Sequence, residues 1–178
     1  MLEGALTIPM ALSPLEWHAH ELLYGFLPAV VAGFLLTAVP NWTGRLPILG
    51  APLLALFVLW AAGRVAVLTS GLIGIGFAAA IDLSFLLALI AVIAREIIAG
   101  NNIRNLRVLA LVTLLFIGNA VFYLEAISSS GNGYGTRIGI AAAVLLISLI
   151  GGRIIPGFTR NWLVRQEQGR LARSLQPL

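Results

Sequence analysis

Five apolar runs, each long enough to cross the hydrocarbon of a bilayer, constrain this chain more than any motif in it. A hydrocarbon core of about 30 Å needs roughly 20 helical residues, and runs of that order lie near 17–39, 49–68, 72–94, 106–127 and 138–155. None alternates apolar with polar residues as an outer-membrane strand would. Backbone groups in lipid must be satisfied within helices or closed barrels, so the pattern predicts an all-α, polytopic transmembrane bundle. Composition agrees: only 10% of residues are charged and 60% are hydrophobic, whereas soluble domains carry about 25% charge. Residues 1–158 read as one transmembrane domain. From residue 159 the character changes, because Arg160, Arg165, Arg170 and Arg173 interleave with Trp162, Leu163, Val164, Leu171 and Leu175. That pattern predicts a basic amphipathic tail lying on an anionic cytoplasmic leaflet.

The basic residues are all arginine, eleven of them, and their distribution sets the expected topology. Arg45, then Arg95, Arg104 and Arg107, then Arg153 and the tail arginines fall on one side of the five runs, leaving Arg137 and the span residue Arg64 toward the other. The positive-inside rule then places the N-terminus outside and the C-terminus in the cytoplasm, in the inner membrane of a bacterium. Arginines spread over connections rather than gathered on one face argue against a nucleic-acid partner. With no cysteine, disulfides, iron–sulfur ligation, thiolate catalysis and covalent haem attachment are excluded.

Both histidines of the chain stand in one block, Trp17-His18-Ala19-His20-Glu21, at the mouth of the first run. Imidazole is the commonest protein ligand for metals and titrates near neutrality, which makes His18 and His20 the candidate metal ligands. Two residues apart on a helix, their side chains diverge by roughly 200°, so one metal takes one of them. His18 shares a face with Glu21, and His20 with Tyr24, each pair spaced for a neighbour to orient the imidazole. Two readings of the residues stand side by side: metal ligation, or histidines seated at the membrane interface like Trp17.

The block continues through Gly25-Phe26 and Ala32-Gly33-Phe34-Leu35-Leu36-Thr37-Ala38-Val39-Pro40-Asn41-Trp42-Thr43-Gly44, and Gly151-Gly152-Arg153-Ile154-Ile155-Pro156 with Phe158-Thr159-Arg160-Asn161 stands downstream. Together these resemble the NnrS family of haem-containing membrane proteins linked to nitric oxide and denitrification. The chain resembles the N-terminal half of that family, without its first span and its C-terminal half. The resemblance implies b-type haem near the outer interface, held by His20 or His18 with Glu21, Tyr24 and Gly25 around it. It further implies nitric oxide as a ligand and a role in nitric oxide metabolism or resistance to nitrosative stress. Copper also belongs to the family, although few side chains here suit it. Beyond lipids, the implied partners are the missing half or a second copy of the chain. The rival reading is a non-catalytic membrane module, an assembly partner or half of a transporter, without haem.

Two further features are specific. Arg64 near the end of the second run and Asp82 in the third are costly charges in antiparallel neighbours, which predicts that they pair. Gly25, Ala29 and Gly33 form a small-residue stripe that lets a helix or a flat macrocycle approach the first span. No complete catalytic constellation appears. Glu125, at the outer end of the fourth run, is placed either to join the Arg64–Asp82 pair or to face water, and Asn119 and Tyr123 in the same run are isolated polar groups with no assigned role.

Overall fold

A computed structural model describes residues 9–101 and 103–166. All of its regular elements are helices, in the order α1 (Pro14–His20), a π-helical segment (Glu21–Phe26), α2 (Leu27–Thr43), α3 (Ala51–Leu68), α4 (Ser70–Ile73), α5 (Ile75–Ala99), a 3₁₀ turn (Ile103–Asn105), α6 (Leu106–Ser128) and α7 (Tyr134–Gln166). Five continuous stretches are long and apolar enough to span a membrane: Pro14–Thr43, Ala51–Leu68, Ile75–Ala99, Leu106–Ser128 and Tyr134–Arg165. The five runs read from the sequence are therefore the five spans, with shifted ends.

Local chemistry accounts for those ends. Ser13 caps α1 through a reciprocal box with Glu16, and Pro14 occupies the first turn, where its missing N–H costs nothing. The helix runs through Pro40 and stops at Gly44, whose φ of +70° is the left-handed terminator. The third span starts at Ile75 rather than at residue 72, because Gly74 at φ +85° separates it from the single turn α4. The change of character at residue 159 comes without a break in the helix. Helix α7 continues unbroken through Pro156 to Gln166, and its side chains over 155–165 are exposed. Arg170 and Arg173 of the expected tail lie outside the described residues.

Helix α5 lies at the centre, packed against α2, α3 and α6, with α7 laid along α6. Leu35, Leu86, Leu89, Val112, Leu115 and Leu146 are buried between these helices. Helices α6 and α7 approach closely because glycines face the contact. A Cβ on Gly135 would meet the Phe122 backbone, and one on Gly118 or Gly139 would meet the Tyr24 hydroxyl.

At the far end of the bundle from His18, the two blocks that carry the family resemblance meet. The Arg153 guanidinium stands 5.2 Å from the centre of the Trp42 ring, and its Nη1 donates to Asn105 Oδ1 at 2.7 Å. Nearby, Arg45 Nε donates to Glu96 Oε2 at 2.5 Å.

Candidate functional site

The first span changes helical register where its polar residues enter the bundle. Leu27 N–H bonds the Leu22 carbonyl five residues back, the mark of a π turn. The wide turn sits just upstream of Pro28, which has no N–H to continue the α pattern. It also leaves the Gly25 carbonyl to accept from Trp60 Nε1 at 2.9 Å. With the register widened, His20, Glu21 and Tyr24 all turn toward the other spans.

They meet an ionic network drawn from four spans. Arg64 on α3 donates through Nη1 to Glu21 Oε1 at 2.8 Å and through Nη2 to Asp82 Oδ1 on α5. The second Asp82 oxygen, Oδ2, accepts from Asn119 Nδ2 at 2.8 Å and from the Tyr123 hydroxyl at 3.1 Å, both on α6. His20 closes the ring: its Nε2 lies 3.1 Å from Asn119 Oδ1 and 3.3 Å from Asp82 Oδ2. The centre of the network is closed to water, with His20 and Asn119 at 0% exposure and Asp82 at 2%, while Arg64 and Glu21 form its half-buried rim. Unpaired charges at such depth cost several kcal/mol, so each charge here is held by an opposite one. The Arg64–Asp82 pair expected from the sequence is its backbone.

Each candidate residue has a definite place. His20 is fully buried, which removes it from the interfacial reading; His18, on the opposite side of α1, is exposed and has no hydrogen bond or ion pair among the described residues. Glu21 turns away from His18 and bonds Arg64. Tyr24 stacks near the imidazole, with ring centroids 5.6 Å apart, yet its hydroxyl donates to the Gly135 carbonyl at 2.6 Å rather than to His20. The small-residue stripe is divided. A Cβ at Gly25 would overlap the Arg64 guanidinium, so that glycine makes room for the network, while Ala29 and Gly33 line an apolar groove of about 280 Å³ with Trp60 and Phe85.

Asn119 and Tyr123 were missed as site residues by sequence reasoning. The available signal was their spacing, i and i+4, which puts an amide and a phenol on one face of an otherwise apolar helix. Glu125, two residues past Tyr123 and so on another face of α6, is not in the network. Its carboxylate accepts from the backbone N–H groups of Tyr134 and Gly135 and caps α7.

An iron ligand needs a free nitrogen lone pair with open space beside it. His20 has neither on its Nε2 side, since that nitrogen faces Asn119 and Asp82, and the rings of Tyr24, Phe122 and Tyr123 enclose the imidazole at centroid distances of 5.6, 5.1 and 5.0 Å. The residues so arranged do not fit a haem at His20. Among the described residues no group of three or more histidine, cysteine or carboxylate side chains converges as a metal site.

No curated protein and no solved structure shows significant similarity to the chain. The NnrS protein family matches it over residues 1–177, from the histidine block through the second block and on into the tail. A match over essentially the whole length makes this chain a member of the NnrS family.

Proposed function

We propose that this chain works in a bacterial inner membrane, with its N-terminus outside, in the cell's defence against nitric oxide, and that the His20–Glu21–Arg64–Asp82 network is its functional centre. The observation that supports this most is where the family's histidine block ends up. A widened turn delivers His20 and Glu21 into an ionic network that spans four helices. Ionisable residues kept inside a membrane at such cost are a mark of function. The reading stands without a haem on His20.

The test is growth under a nitric oxide donor. A bacterial host without its own family member should resume growth sooner when it carries the chain than when it carries an empty vector, and Asp82→Asn should remove the advantage. Equal growth of chain and vector, with the chain detected in the membrane, would overturn the proposal. The second reading, an assembly module, is favoured by the bare faces of α3 and α7, the two least buried spans. Its sign would be a stable complex with another membrane protein and no protection from the donor.

A further inference from the structure

We infer that His20 is held as an imidazolium, the second cation of a charge-neutral tetrad, and therefore has no lone pair to give to iron. The geometry around the ring carries this. Nε2 faces the Asn119 carbonyl oxygen at 3.1 Å and Asp82 Oδ2 at 3.3 Å. Asn119 is oriented by its own amide, whose Nδ2 donates to Asp82, so Oδ1 is the atom turned to the imidazole and Nε2 must be the donor. On the other side, Nδ1 has no hydrogen-bond partner and is completely buried, and the polar atom it faces is Glu21 Oε1 at 3.6 Å. A lone pair there would face a carboxylate, which repels it; an N–H turns the same contact attractive. The three polar atoms against the ring nitrogens, Asn119 Oδ1, Asp82 Oδ2 and Glu21 Oε1, are all acceptors.

Charge counting gives the same answer independently. The charged groups around the ring are two carboxylates, Asp82 at 2% exposure and Glu21 at 22%, and one guanidinium, Arg64, at 15%. Two negative charges against one positive leave the network one charge out of balance unless the imidazole carries the second positive charge. The remaining groups packed on the site, Tyr24, Trp60, Asn119, Phe122 and Tyr123, are uncharged, so none of them can supply it. This inference rests on the network and not on the proposed defence against nitric oxide; its failure would leave that role to be judged by growth alone.

The direct test uses the rarity of histidine in this chain. Protein labelled with ¹⁵N-histidine and carrying His18→Ala has one imidazole, and NMR in detergent at neutral pH should show both of its ring nitrogens bonded to hydrogen. Wild-type protein serves equally if that variant does not fold, because a water-soluble paramagnetic agent broadens the signals of the exposed His18 and spares those of the buried His20. One nitrogen without a proton would overturn the assignment. A charge-balance series checks it by another route. His20→Gln should lower folded yield roughly tenfold, and adding Glu21→Gln should restore it to within about twofold of Glu21→Gln alone. Additive losses would overturn the tetrad. So would a Soret band that disappears in His20→Ala at unchanged folded yield.

Discussion

Asp82 is the residue on which the site turns, because its two oxygens accept from Arg64, Asn119 and Tyr123 and adjoin His20. Deleting one member of the Arg64–Asp82 pair strands the other in the bundle, at a cost of about 3–5 kcal/mol, whereas deleting both is milder. Arg64→Leu, Asp82→Leu and the double variant should therefore be strongly non-additive in a denaturant-unfolding cycle in detergent. Tyr123→Phe removes a single hydrogen bond to a carboxylate and should cost about 1–2 kcal/mol in the same assay. The Arg64–Asp82 pair was legible in the sequence, since two charges in adjacent antiparallel spans have few other ways to be satisfied. His20 was legible as important but not in its role. Its partners Asn119 and Tyr123 lie 99 and 103 positions away along the chain, and only the packing of α1 against α6 brings them together.

At the level of elements, the sequence showed where spans lie better than where they stop. Apolar runs mark hydrocarbon, but capping by Ser13 and Glu16 extends the first helix outward, and Gly74 trims the third. The π turn was not legible, because widening a turn leaves hydrophobicity unchanged and Pro28 alone signals only a kink. Deleting Leu23 should return the segment to α register and leave His20 facing the network, because the wide turn absorbs one extra residue and five α residues sweep nearly the same angle as six π residues; folded yield in detergent should be largely kept, and a large drop would show that the wide turn itself is required. The glycines of the α6–α7 contact give a graded test. Gly135→Ala must displace the Phe122 backbone and should destabilise strongly, Gly139→Ala displaces the end of the Tyr24 ring, a side chain rather than backbone, and should cost less, and Gly152→Ala, with nothing near its Cβ, should leave thermal stability in detergent unchanged.

For the whole molecule, the arginine asymmetry predicts that a fluorescent protein fused after Leu178 lights up in the cytoplasm and that a periplasm-dependent reporter at the same place stays inactive. The length of α7 bears on how the molecule sits in the lipid. Its 33 residues make a rod of about 50 Å, against about 30 Å of hydrocarbon. Arg153 stands 19 residues after Tyr134, roughly 29 Å along the rod, and there it is clamped by Trp42 and Asn105. The distance from the start of α7 to Arg153 thus matches the hydrocarbon thickness, and the turns after Arg153 are length the helix has to spare. A thicker bilayer would bring Arg153 into hydrocarbon, so vesicles of longer acyl chains should loosen the Trp42–Arg153 contact while thinner ones leave it seated.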